Sequence, residues 1–131
     1  MRQFKQNKLW RDKAMALLES QGSRVNWRKL EQKEFQQCLK EKLLEESKEV
    51  VSASSLEQIV EELADVMEVI EAMAEAYEIS MDDIITAKNN KKSKRGGFSD
   101  RIYVESTLHP EGSFGEKYCL ADPQKYPEIF E

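Results

Sequence analysis

The sequence predicts an all-α fold, a hairpin of two long helices flanked by shorter ones. Three observations predict it. Neither glycine nor proline interrupts residues 23–94. Apolar residues recur there at three- and four-residue spacings, the period of one helix face. Ser55 with Gln58, and Ser80 with Asp83, resemble the capping boxes that open helices. The composition agrees: 40% hydrophobic, only 8% aromatic and 34% charged residues suit one helix-rich core.

The elements follow in order. Residues 8–20, KLWRDKAMALLES, read as a lead-in and a first helix stopped by Gly22. VNWRKLE, 25–31, alternates like a short strand or extended link. From Lys33 to Val51, Phe35, Leu39, Leu43, Glu46 and Val50 fall on one helical stripe. SASS, 52–55, is a tight loop. A second long helix spans Leu56 to Tyr77, with Ile59, Leu63, Val66, Ile70, Met73 and Tyr77 on one face. The next helix runs from Ser80 to about Lys92 and is ended by KSKRGGF. RIYVE, 101–105, alternates as a short extended segment. Residues 1–105 are expected to form the domain. Residues 106–131, with all three prolines, read as an irregular tail packed on that domain or on a partner subunit. One hairpin leaves its outer apolar surface uncovered, so dimerisation into a four-helix bundle is expected, as a homodimer or homotetramer.

Charge and segment composition exclude several classes. A net charge of −5 argues against binding a nucleic-acid polymer. No apolar run approaches the ~20 residues of a membrane span. The first ten residues lack the apolar core of an export signal. Cys38 and Cys119 then read as free thiols in a reducing compartment, and a cytoplasmic location is expected.

Helical periodicity sorts the carboxylates. At ~100° per residue, Glu46 lies inside the apolar stripe of the first long helix and Glu49 at its edge. Glu41 and Glu45 take the polar side. On the second, Glu62 and Asp65 flank the stripe, whereas Glu61, Glu68, Glu71 and Glu75 face solvent. A turn near Ser54 puts Glu46 and Glu62 at similar heights. Side chains tilt toward their own helix N-terminus, which converges the pairs Glu46/Glu49 and Glu62/Asp65. Inward carboxylates need cations, because an unpaired buried charge costs several kcal/mol. Lys42 offsets one at most. A hard divalent cation suits oxygen ligands, and Mg²⁺ fits that description.

EESKE, 45–49, followed by EELAD, 61–65, resembles the signature of MazG-like all-α nucleotide pyrophosphohydrolases. NKLWRDK, 7–13, is similar to the opening motif of their phosphoribosyl-ATP pyrophosphohydrolase-like subgroup, and KRGGF, 94–98, with RIYVES to its closing segment. The chain departs from the opening motif at Trp10, where valine is usual, and at Ala14-Met15, where Ile-Pro is usual. The resemblance implies that Glu46, Glu49, Glu62 and Asp65 are catalytic magnesium ligands, with Mn²⁺ a possible substitute. It implies substrate contacts at Lys8, Arg11 and Asp12. The substrate class it implies is a nucleoside triphosphate or phosphoribosyl-nucleotide, cleaved between the α and β phosphates. The basic run Lys88, Lys91, Lys92, Lys94 and Arg95 fits either phosphate contacts or cations complementing a helix C-terminus. One of the four ligands, or Glu45, would orient the attacking water. His109 is expected to be a surface residue.

Two other classes are weighed. A di-iron carboxylate bundle wants Glu-x-x-His pairs, and no histidine lies in the predicted helices. A non-catalytic acidic helical interaction module tolerates surface acids but gives no reason to aim four of them inward.

Overall fold

The computed structural model describes residues 1–130 and, among them, five α-helices and no strand: α1 Ala14–Ser20, α2 Gln32–Ser52, α3 Leu56–Ala76, α4 Met81–Arg95 and α5 Phe114–Leu120. The chain forms two compact units, Met1–Lys94 and Arg95–Glu131. The boundary between them falls at the end of α4.

In the first unit, α2 and α3 form the only extensive helix–helix contact among the described residues. The predicted periodicity explains it. Leu39, Val69 and Ala74 are buried at the seam, and Phe35, Leu43, Val50, Ile59, Val66, Ile70, Met73 and Tyr77 are half-buried beside them. Leu63 departs from expectation. It is 47% exposed, and it belongs with Leu56, Val60 and Met67 on a second apolar stripe at i, i+4, i+7 and i+11. That stripe is uncovered in the single chain, as are Leu44 and Val51 of α2.

Capping chemistry fixes the ends. Ser55 Oγ accepts from Gln58 N–H at 3.1 Å, as predicted. Gln58 Oε1 reaches back to Ser54, accepting from its N–H at 2.9 Å and from its Oγ at 3.0 Å. The far end of the hairpin is tied by α2 side chains. Gln36 Nε2 donates to Ala76 O at 2.9 Å, and Gln32 Nε2 to the same oxygen at 3.4 Å. Both satisfy a carbonyl that the end of α3 would otherwise leave unpaired.

α1 stops as expected. Gly22, at φ 94°, donates to Glu19 O, and Ser23 N–H donates to Leu18 O. This is the paired bonding of a Schellman motif. α3 ends with the same pattern, Glu78 N–H to Glu75 O and Ile79 N–H to Ala74 O, but with a glutamate at φ 55° in the left-handed position. A side chain there is strained, whereas glycine is not. Glu78→Gly is therefore expected to stabilise the protein by about 0.5–1 kcal/mol, read as a higher denaturant midpoint with an unchanged m-value.

Both alternating segments are non-helical, as expected, and for 25–31 the link rather than the strand is what forms. Residues 25–31 and 101–105 form no strand. Neither has a neighbouring strand to pair with, and a lone strand leaves its backbone groups unpaired. Arg101, at φ 58°, also closes a turn on Phe98 O and breaks the alternation at its first residue.

In the second unit the tail is not wholly irregular. α5 opens on a reciprocal capping box: Ser113 Oγ accepts from Glu116 N–H at 3.3 Å, and Glu116 Oε1 accepts from Gly112 N–H at 3.1 Å. Phe114, Tyr118 and Tyr126 stack in series at centroid separations of 5.8 and 5.6 Å. The His109 ring lies so close to Gly115 that a Cβ there would sit 2.2 Å from Nδ1. The histidine is exposed, as expected, with its ring against Gly115.

Candidate functional site

The hairpin brings three of the four predicted carboxylates together. Glu46, Glu62 and Asp65 each offer an oxygen, and these oxygens all lie within 4.8 Å of one another. Glu46 is buried at 9% exposure, and the other two are half-buried. Their helices dictate this. Glu46 occupies the seam position one turn before Val50, and Glu62 and Asp65 flank Val66 on the facing side of α3.

Glu49 is placed apart. It is exposed and outside the cluster, yet near enough for its charge to act on Glu62. The Glu62 carboxyl is pushed above the ordinary range by partial burial first, then by Glu49, Asp65, Glu46 and Glu61. A site that raises a carboxyl by crowding it with like charge is one that gains from a cation.

Basic side chains partly meet that demand. Arg11 Nη2 donates to Asp65 Oδ1 at 2.6 Å, and Lys8 Nζ donates to Glu45 Oε1 at 3.1 Å. Lys42 Nζ lies 3.1 Å from Glu45 Oε2 and 3.5 Å from Glu46 Oε1. Burial would push the Glu45 carboxyl up, but the hydrogen bonds from Lys8 and Lys42 outweigh it and hold the group below its usual range. The N-terminal segment therefore lies as a basic strap along the acidic seam. No spacing rule joins residue 11 to residue 65 or residue 8 to residue 45, so the sequence carried no signal for these pairs.

Among the described residues, the remaining predicted contacts make no ion pair with the cluster. Asp12 is exposed, with no hydrogen bond or ion pair among the described residues. Lys88, Lys91, Lys92, Lys94 and Arg95 are exposed along the end of α4, and no ion pair ties them to the carboxylates. Cys38 and Cys119 are free thiols. Burial, then the charges of Glu41 and Glu34, push the Cys38 thiol up.

The donor set suits a hard cation. Octahedral magnesium holds oxygens at about 2.1 Å, which places them roughly 3 to 4.2 Å apart. Three carboxylate oxygens already within 4.8 Å need only a small inward shift to reach those separations. The solvent-face acids test this sorting. Glu68 and Glu71 are exposed on α3. Glu68→Gln and Glu71→Gln are expected to leave activity within a few-fold of the parent and stability within about 0.5 kcal/mol. If Glu68→Gln impaired turnover as much as Asp65→Asn, the division by helix face would be wrong.

Fold and site together define an all-α helical-hairpin protein with a carboxylate cluster across its two long helices. The family described as phosphoribosyl-ATP pyrophosphohydrolase matches residues 16–92, more than half of the chain, and the chain belongs to that family. The match covers α2, α3 and nearly all of α4, and it excludes the strap and the second unit. The family's reaction is pyrophosphohydrolysis, the opening of a phosphoanhydride bond. No curated protein and no solved structure matches the chain. Among the described residues, no helix is long and apolar enough to cross a membrane.

Proposed function

We propose that this protein is a magnesium-dependent nucleotide pyrophosphohydrolase, with manganese as a substitute metal. It cleaves a nucleoside triphosphate or phosphoribosyl-nucleotide between the α and β phosphates, giving a monophosphate and pyrophosphate. The observation that carries this reading is the convergence of Glu46, Glu62 and Asp65 from two packed helices, within a stretch that belongs to a pyrophosphohydrolase family.

In this reading Glu46, Glu62 and Asp65 hold the metal, and Glu49 joins them from the next turn of α2. When bound, magnesium neutralises phosphate charge and lowers the pKa of a bound water. The chain's own groups do the rest. Arg11 turns its donors to phosphate oxygens, where charge-assisted hydrogen bonds are strong, and Lys8, while paired with Glu45, adds its positive charge beside them. Asp12 contacts the substrate from the same segment, and Lys88, Lys91, Lys94 and Arg95 add positive charge on the substrate's approach. Glu45, or one of the ligands, orients the attacking water. A panel of nucleotides tests this through pyrophosphate release with magnesium and with chelator. Release from none of them would favour a non-catalytic helical interaction module instead.

The same proposal includes a homodimer that buries the stripe Leu56, Val60, Leu63 and Met67 together with Leu44 and Val51. A continuous apolar stripe of this kind marks an interaction face, and a second hairpin completes a four-helix bundle. Val60→Glu is expected to shift the protein to monomer in sedimentation equilibrium. An unchanged mass would place the interface elsewhere.

A further inference from the structure

Residues 7–11 of the strap fix where it can move. Asn7, at φ 49°, turns the chain just before Lys8. Lys8 is held by Glu45, and Leu9 and Trp10 are half-buried. Arg11 follows them and reaches Asp65 through a single guanidinium nitrogen. Its side chain remains 62% exposed, against 38% for Asp65. A pair this exposed is weak, and one-nitrogen contact leaves most of the fork unused. The strap is thus anchored by Lys8, Leu9 and Trp10, while Arg11 rests on one of the three converging carboxylates and is readily released.

We propose that Arg11 is an exchangeable cation. It neutralises Asp65 while no metal is bound, and it transfers to a phosphate oxygen of the substrate when a divalent ion takes Asp65. This rests on the metal-site reading above and adds a coupling to it. A divalent ion at the cluster repels a guanidinium on the same carboxylate. A phosphate group then offers the released guanidinium the paired oxygens that its fork matches. Metal and phosphate each favour the state that the other binds, so each tightens the other by the same factor. Arg11 touches the substrate phosphate in this scheme, and its effect on metal binding has a definite sign. A guanidinium that merely supported Asp65 as a ligand would strengthen metal binding. An exchangeable one competes with the metal.

The test measures Mn²⁺ binding to the nucleotide-free full chain by the loss of the free-ion paramagnetic resonance signal. Arg11→Gln is expected to bind Mn²⁺ about fivefold more tightly than the parent, the factor for one unit-charge contact in water. Lys13→Gln removes the same charge from the same segment and is expected to change binding less than about twofold, as long-range effects are screened. In a Trp27→Phe background Trp10 is the sole tryptophan. Its emission is expected to shift on Mn²⁺ addition in the parent and to stay constant in Arg11→Gln. At saturating magnesium, inorganic phosphate is expected to bind Arg11→Gln at least fivefold more weakly than the parent by calorimetry. Weaker or equal Mn²⁺ binding in Arg11→Gln, equal tightening in Lys13→Gln, or unchanged phosphate affinity each overturns the exchange. Absence of Mn²⁺ binding in the parent overturns the metal-site reading itself, which is a separate result.

Discussion

Glu62→Gln is expected to abolish hydrolysis almost completely while leaving the hairpin folded. Glu62 sits among Glu46, Asp65 and Glu49, and its carboxyl is already pushed up by partial burial and by their charges. The amide matches the carboxylate in shape but carries no charge. It therefore removes a metal ligand and relieves repulsion in the same step. Two readouts should move in opposite directions. Turnover falls to background, and the metal-free variant melts above the metal-free parent. Helical content by circular dichroism stays that of the parent. Parental turnover in Glu62→Gln would sink the site assignment, and loss of helical content would show that Glu62 serves the fold instead.

Magnesium is expected to stabilise the folded protein strongly in the absence of nucleotide. An ion that binds the folded form alone adds RT ln(1 + [L]/Kd), about 2.7 kcal/mol at a hundredfold excess over Kd. For a chain of this length that corresponds to a melting temperature higher by about 10 °C. Sodium chloride at equal ionic strength should do much less, since it screens without coordinating. The shift should collapse in a Glu46→Gln/Asp65→Asn double variant. A melting curve indifferent to magnesium in the parent would mean that the three carboxylates do not form a metal site without substrate phosphates.

The hairpin was legible because its signals are local. Phe35, Leu39, Leu43 and Val50, with Ile59, Val66, Ile70 and Met73, repeat at the helical period, and Ser55 and Gln58 mark the opening of α3. The same arithmetic picked out Glu46, Glu62 and Asp65, which the structure brings together, and Glu49, which it leaves exposed. It placed Leu63 on the inner face because α3 is apolar over a wide arc, and a single stripe cannot describe two. Alternation in 25–31 and 101–105 left strand and link open because it reports only the possibility of a strand, not a partner. α5 was missed although Ser113 and Glu116 spell a capping box, since Pro110 and Gly112 suggested a loop. The contacts of Arg11 with Asp65 and of Lys8 with Glu45 were beyond any periodicity, because they depend on how the strap is laid along the hairpin.

The two ties on the hairpin have a mechanical consequence. Ser54, Ser55 and Gln58 knot the turn end, and Gln36 and Gln32 hook Ala76 at the opposite end. The carboxylates lie between these ties, Glu46 on α2 six residues before its end, and Glu62 and Asp65 on α3 six and nine residues after its start. A hairpin joined only at its turn would behave as tweezers, and like charges between its arms would spread them until the repulsion was spent. With both ends tied and Leu39, Val69 and Ala74 packed at the seam, the arms are held against that spreading. The charges stay crowded, and a cation binding there as proposed would find the carboxylates near working distance instead of having to draw two helices together. Cutting the remote hook at Gln36 would therefore slacken the grip on a metal some distance along the hairpin, without touching any atom that holds it.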